Sequence, residues 1–268
     1  MVLPIRDLNP TRRVPIVNWL FIVINIVVFA WQAFGLTECE QVRFVYRFAV
    51  IPQELLSMSQ LPPGTAEEVL GSCATSSMPK IVALSVVTSM FLHGSLLHLA
   101  GNMLFLFIFG DNVEDRLGRV RYVLFYVAGG VISAVAYAVA QPGSAAPLVG
   151  ASGAVAAILG AYLILHPSAR VLTYVPFPLY LVALLIPGVR IRLWLVIVAI
   201  VKMPAWLLLL GWLAFQVVAV GAEAPGMVAY EAHIAGFLAG IVLLLLLDRR
   251  RLRQGKQPLH PVRPRRGR

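Results

Sequence analysis

Apolar runs alternate with shorter polar segments along most of the chain, and several of the runs are long enough to cross a membrane. They lack the residue-by-residue alternation of barrel strands, so helices are the remaining way to satisfy the backbone in lipid. A helical span needs about 20 predominantly apolar residues. The pattern predicts six spans, over residues 14–34, 89–110, 120–140, 152–166, 204–221 and 230–247.

A further apolar region, residues 171–201, lies between the fourth and fifth predicted spans. Prolines interrupt it, its second run is too short to span, and the flanking charges require an even number of crossings. We therefore expect a re-entrant or interfacial excursion that does not cross. The predicted organisation is an N-terminal segment 1–13, a membrane domain 14–247 with an outer loop 35–80, and a basic tail 248–268.

Hydrophobic residues make up 59% of the 268 residues and charged residues only 13%, which excludes a water-soluble globular domain. The net charge of +10 would suit a nucleic-acid partner, but the positions of the charges indicate a membrane topology instead. All but three of the 22 Lys and Arg residues fall on the predicted inner side, the exceptions being Arg43, Arg47 and Lys80. We expect both termini inside, a tail attracted to anionic lipid, and no nucleic-acid partner.

The outer loop holds both cysteines of the chain, Cys39 and Cys73. An oxidising compartment would allow them to form a disulfide, although two free cysteines in one loop are equally ordinary. Residues 46–56 combine apolar and aromatic side chains with few charges. Part of this loop is therefore expected to lie at the membrane surface as a short amphipathic helix.

Ser152 lies between Gly150 and Gly153 at the predicted start of the fourth span. The glycines leave room for another backbone, or for a peptide carbonyl, to approach the hydroxyl. If a helix starts here, its first amides lack intrahelical partners, and a nucleophile beside such donors is half of an acyl-transfer site. Small-residue runs also simply allow membrane helices to pack closely, so this stretch alone leaves both interpretations open.

Three further polar side chains lie in apolar spans, where polar groups are costly. His98 and Asn102 are four residues apart and share one helix face. His233 lies three residues before Gly236, which belongs to a small-residue face suited to close packing. Hydrogen bonding or packing between helices would explain each of them separately. However, Ser152, Asn102 and His233 all lie about 21 to 22 Å above the inner ends of their spans, which predicts a shared site.

The expected chemistry is nucleophilic attack by Ser152 with His233 as the general base. No acidic residue lies deep within a predicted span; the nearest, Glu231 at the start of the sixth, is two residues from His233 and so points elsewhere. We therefore expect a dyad rather than a triad. Asn102 and His98, together with the Ser152 amide, could donate hydrogen bonds to the oxyanion.

Three motifs resemble those of the rhomboid family of intramembrane serine proteases: His93-x4-His98-x3-Asn102, Gly150-x-Ser152-Gly153 and Ala232-His233-x2-Gly236. The run 109–118 is similar to bacterial members of that family. The resemblance covers about residues 14–247. It implies an all-α polytopic membrane protein, a six-transmembrane-helix bundle with a water-filled cavity open to the outside, in which Ser152 attacks and His233 is the base.

The same resemblance implies cleavage of single-span membrane proteins near the outer ends of their transmembrane segments. A gating fifth helix and the loop after the first span would admit the substrate. The membrane would be a bacterial inner (cell) membrane, with both termini in the cytoplasm.

Two features depart from the family pattern. Ala156 stands where many members carry Tyr or Phe packed on the catalytic histidine, and the 171–201 excursion looks longer than usual. Neither removes a reacting group, so we expect an active enzyme. His93, at the mouth of its span, is expected to be structural.

The leading alternative is a catalytically inactive rhomboid-like protein that binds transmembrane helices. A transporter or proton relay is a second alternative, which the absence of acids within the predicted spans disfavours. A zinc protease is a third, but the chain has no H-E-x-x-H motif and no acidic ligand at a suitable spacing. We expect no metal and no other cofactor.

Overall fold

The computed structural model describes residues 3–74, 79–178, 196–222 and 228–248. The helices are α1 (Ile16–Phe34), α2 (Glu38–Phe48), α3 (Pro52–Ser57), α4 (Pro63–Leu70), α5 (Val82–Thr88), α6 (Leu96–Leu117), α7 (Arg119–Ala140), α8 (Ser152–Leu165), α9 (Ala205–Gly221) and α10 (Tyr230–Leu247). Short 3-10 turns follow α4 and α5, at Gly71–Cys73 and Ser89–Phe91. The predicted basic tail lies outside the described residues after Asp248.

Within the described ranges, four helices are long and apolar enough to cross a membrane, namely α1, α6, α7 and α10. The prediction of a helical polytopic membrane protein is thereby confirmed. The other two predicted spans are shorter helices, with 14 residues in α8 and 17 in α9. At about 1.5 Å per residue, α8 is about 21 Å long and does not reach across a hydrocarbon core of about 30 Å. With its inner end at the boundary of that core, α8 would place its first residue, Ser152, at membrane depth.

The non-helical chain before α8 is held inside the protein by backbone hydrogen bonds. The Leu148 N–H donates to the Val50 carbonyl at 2.7 Å, in an isolated antiparallel bridge. The Gly150 N–H donates to the Ser89 carbonyl at 2.9 Å. Irregular backbone is tolerated at membrane depth only where protein or a water-filled cavity satisfies it. The outer loop and the turn before α6 supply these partners.

The structure contains an antiparallel sheet that the hydropathy pattern does not predict. Its strand order is β1 (Leu3–Asp7), β2 (Arg170–Pro178) and β3 (Val196–Pro204). The sheet joins the N-terminal segment to both described ends of the 171–201 region, which the sequence indicated as a re-entrant or interfacial excursion. Short apolar runs suit a strand or a helix equally well, so periodicity does not separate the two. Residues 179–195, the middle of that excursion, lie outside the described part.

The sheet is fastened to the helices at one end. β2 follows closely on α8, and β3 ends immediately before α9. The Ala205 N–H donates to the Ala169 carbonyl at 2.8 Å, and the Trp206 N–H donates to the Pro167 carbonyl at 3.0 Å. The C-terminal end of α8 and the N-terminal end of α9 are therefore tied together on the side that the charge pattern assigns as inner.

The inner end of α6 extends beyond the predicted span. The helix continues past Gly110, so the acids of residues 111–115 lie in its last two turns. Glu114 is buried, and its carboxylate accepts the N–H groups of Val17 at 3.2 Å and Asn18 at 2.7 Å. These are first-turn amides of α1, which lack partners within their own helix. Glu114 thus caps α1 from a neighbouring helix.

The outer loop is folded into short helices. Residues 46–56, where a short helix was predicted, contain the end of α2 and most of α3. Residues 49–51, between the two helices, are buried and not helical. A disulfide joins Cys39 in α2 to Cys73 after α4, with a Cα–Cα distance of 5.0 Å. Glu54 and Lys80 form an ion pair at 2.5 Å with little exposed side-chain area. Burial lowers the pKa of the Lys80 ammonium, an effect that the hydrogen bond and charge of Glu54 oppose.

The helices α8 and α10 meet backbone to backbone at glycines. Methyl groups placed at Gly236 and Gly240 of α10 would overlap the carbonyl oxygens of Gly153 and Ala157, respectively. Gly160 of α8 meets the backbone of α10 in the same way. This is the close packing that the four-residue spacing of the α10 glycines predicts.

We expect Gly240→Ala to destabilise the protein by about 1 to 3 kcal/mol, because the new methyl must displace the Ala157 carbonyl. Gly211→Ala in α9 is the matched control, since a methyl placed there has no atom within 4 Å. The control should be neutral or slightly stabilising, because alanine favours helix more than glycine does. Thermal unfolding in detergent measures both variants, and equal unfolding midpoints would contradict the close contact.

Alkylation of the denatured, non-reduced protein should modify neither Cys39 nor Cys73, because the disulfide protects both sulfur atoms. After reduction, both cysteines should be modified, and mass spectrometry counts the added groups. Complete labelling without reductant would rule the disulfide out.

Candidate active site

Ser152 is the first residue of α8. The residue before it, Ala151, has no side-chain oxygen, and no side chain caps this end of the helix. The first amides of α8 are therefore available to a group placed beside the Ser152 hydroxyl. The positive end of the helix dipole favours negative charge at the same place.

Gly150 allows His98 to approach the start of α8. Its φ of +121° lies in the region that favours glycine. A methyl at Gly150 would stand 2.7 Å from Cε1 of His98 and 3.6 Å from Nδ2 of Asn102. Three of the residues that sequence reasoning assigned to the site, Gly150, His98 and Asn102, therefore lie together.

His93 belongs to the same cluster, which the sequence reasoning did not predict. It is fully buried in the non-helical link before α6, and its Nε2 lies 3.1 Å from Nδ2 of Asn102. The rings of His93 and His98 meet edge to face, with their centroids 5.1 Å apart. The two histidines do not share one continuous helix, because α6 begins only at Leu96. His93 therefore fixes the amide of Asn102 next to the start of α8.

His233 is held by two residues of α9. Its Nδ1 lies 2.9 Å from Oε1 of Gln216, a side chain that is 4% exposed. The ring of Trp212 lies beside the imidazole, with centroids 5.8 Å apart and planes inclined by 33°. These contacts orient His233, although Ala156 offers only a methyl group at the position where many family members carry Tyr or Phe. A signal for Gln216 was present, because it is a lone amide in an apolar span, where polar groups indicate function.

Ser133 of α7 links the chain segments that carry Ser152 and His233. Its buried hydroxyl donates to the carbonyl of Ala232 at 2.7 Å. On its other side, a methyl at Gly153 would overlap the same hydroxyl. The neighbours in sequence of Ser152 and of His233 thus contact one side chain. The sequence alone did not indicate a role for Ser133, because a single serine in an apolar helix carries no distinctive spacing.

The hydrogen bond to Gln216 determines which imidazole nitrogen is free. A carboxamide oxygen only accepts, so Nδ1 of His233 must donate to it. Nε2 then keeps a lone pair that can accept a proton. Among the described residues, no acidic side chain hydrogen-bonds to His233, so its partner is a neutral amide. Ser152 thus begins a helix without a side-chain cap, and His233 keeps a free lone pair on Nε2. The described contacts connect the sequence neighbours of these two residues, through Ser133 and through Gly153 and Gly236.

Comparisons with known proteins place this region in a recognised family. The family model described as "Rhomboid domain" matches residues 82–250, which is more than half of the chain. "Presenilin-associated rhomboid-like protein A, mitochondrial" of Danio rerio is 29% identical over 164 residues, which are 60% of this chain and 37% of that protein. "Rhomboid protein 1, mitochondrial" of Saccharomyces cerevisiae is 29% identical over 163 residues, 59% of this chain and 40% of that protein.

A shorter match is to YdcA of Bacillus subtilis, whose name classes it with the rhomboid proteases. It is 35% identical over 78 residues, which are 29% of this chain and 39% of that protein. The matches therefore cover about two fifths of the length of each of these relatives.

The expected location in a bacterial inner (cell) membrane is contradicted by these comparisons. The relatives that match about 60% of the chain are named as mitochondrial proteins. The bacterial expectation depended on residues 109–118, at the inner end of α6. The structure gives that run a packing role, since Glu114 caps α1, and such a role carries no information about the compartment.

Proposed function

The chain belongs to the rhomboid family, and on that premise we propose that it is an intramembrane serine endopeptidase. The observation that carries this proposal is the hydrogen bond from His233 Nδ1 to Gln216, which leaves the lone pair of Nε2 free to take a proton. Three residues further along α10, Gly236 packs on the carbonyl of Gly153, next to Ser152. Ser152 is the nucleophile of this proposal and His233 is its general base. Asn102, His98, Gly150 and Gly153 form the support of the site.

In the proposed reaction, the Ser152 hydroxyl attacks the carbonyl carbon of a peptide bond while Nε2 of His233 takes its proton. The tetrahedral oxyanion accepts hydrogen bonds from the first amides of α8 and from the Asn102 amide. Collapse of this intermediate breaks the C–N bond, and His233 returns the proton to the leaving amine. Water, deprotonated by His233, then hydrolyses the ester on Ser152 and restores the free hydroxyl.

The proposed substrates are single-span membrane proteins within the lipid bilayer. Ser152 starts a helix of about 21 Å, so the nucleophile would lie in the outer third of a core about 30 Å thick. A bond near the outer end of a transmembrane segment is the one that reaches this depth. The segment must also unwind locally, because a peptide carbonyl within a helix is already hydrogen-bonded. For the location, the mitochondrial relatives favour a mitochondrial membrane.

A fluorophosphonate probe should label the purified protein in detergent or liposomes, because only an activated serine reacts readily with it. Ser152→Ala and His233→Ala should both abolish labelling. Ser168→Ala is the matched control, since Ser168 is an exposed serine just beyond the same helix, and it should label like the wild type. In-gel fluorescence at equal protein loading provides the measurement.

Absence of labelling in a protein with a normal unfolding transition would contradict the protease. That result would favour the alternative of an inactive family member that binds transmembrane helices. Binding of a transmembrane peptide that survives Ser152→Ala, without cleavage by the wild type, would then identify that alternative.

A further inference from the structure

The surroundings of His233 differ on its two sides. On the α8 side, Ala156 is fully buried and ends in a methyl group that stands 3.2 Å from a methyl placed at Gly236. It offers no ring and no hydrogen-bonding group to the imidazole. On the α9 side, Gln216 accepts a hydrogen bond and Trp212 covers the ring. Among the described residues, the hydrogen bond and the ring contact of His233 therefore both come from α9.

We propose that Gln216 is a positioning residue that holds His233 with its proton on Nδ1, so that catalysis requires α9 to be packed against α10. This inference rests on the proposed protease function and adds that the packing of α9 controls the activity. Trp212 contributes to the same task, because its ring also lies 6.2 Å from that of Phe237 one turn further along α10. The indole is thus fixed against α10 at two places.

The physical reason lies in the change of charge during catalysis. When Nε2 takes the serine proton, the imidazole becomes cationic, and its Nδ1–H···O bond becomes charge-assisted and stronger. Gln216 is buried, so its amide cannot exchange this hydrogen bond freely for water. The amide therefore stabilises the transition state more than the resting state. A neutral acceptor does this without a buried carboxylate, whose desolvation in a membrane protein is costly.

Two further titratable groups lie near His233. His98 of α6 and Glu231 of α10 interact with it electrostatically. Glu231 itself accepts a hydrogen bond from Gln141 at 3.0 Å at the exposed outer end of the bundle. No ionisable side chain reaches His233 from the described part of α9. A change in the pH profile after substitution of Gln216 therefore reports on the Gln216 contact.

The test uses the full-length protein in liposomes and a fluorogenic transmembrane peptide. Gln216→Met keeps the approximate volume and removes the acceptor, so kcat should fall about tenfold to a hundredfold with KM nearly unchanged. Gln216→Glu keeps an acceptor and should restore most of the activity at alkaline pH. Its acid limb should move to higher pH, because a carboxylate stabilises the protonated imidazole. Val218→Ala, at a 68% exposed position of the same helix, is the matched control.

The outcomes separate the two proposals. If the wild type neither cleaves nor reacts with a fluorophosphonate, the protease proposal fails. If the wild type cleaves and folded Gln216→Met keeps its kcat and its pH profile, the protease stands and the positioning role of Gln216 is overturned. If Gln216→Met does not fold, Gln216→Glu decides: an unshifted acid limb in that active variant would overturn the inference.

Discussion

The backbone contact between α8 and α10 is the constraint on which the site depends. Gly236 and Gly240 allow α10 to approach the carbonyl groups of α8, with no side chain between them. Ser152 and His233 stand at the outer end of this contact, each within one turn of a glycine that makes it. Because neither helix can slide along the other without a collision at a carbonyl, packing sets the level of Ser152 and His233 relative to each other. The hydrogen bond from Ser133 to the Ala232 carbonyl then holds the backbone next to His233, and the hydrogen bond to Gln216 orients the imidazole.

The two ends of the bundle use polar groups for different purposes. At the inner end, Glu114 satisfies amides of α1, and Arg116 is hydrogen-bonded to Asp248 at the end of α10 at 2.8 Å. These contacts fasten helices that lack local capping side chains. At the outer end, the start of α8 carries no side-chain cap. The start of α8 therefore keeps its first amides free of side-chain partners, as the proposed binding of an oxyanion there requires.

The sequence predicted the long helices because their features are local: span length and hydropathy identify α1, α6, α7 and α10. The proposed pair, Ser152 and His233, comes from short motifs, which are local as well. The sheet was missed because strand pairing joins residues 3–7 to residues 170–178, and no local pattern reports such a partner. The roles of His93, Ser133 and Gln216 were missed for a related reason. Each depends on which distant side chain it meets, and spacing along one helix does not contain that information.

The fastening of α9 at one end has a mechanical consequence. Ala205 and Trp206 are bonded to the chain after α8, so this end of α9 acts as a pivot. Gln216 stands 11 residues further along the helix, or about 16 Å from the pivot. At that radius, a tilt of about 10° displaces Gln216 by about 3 Å, which is the whole length of its bond to His233. A rotation too small to open the bundle would therefore break the hydrogen bond between Gln216 and His233. Such a rotation would make α9 a lever on the histidine that we propose as the base.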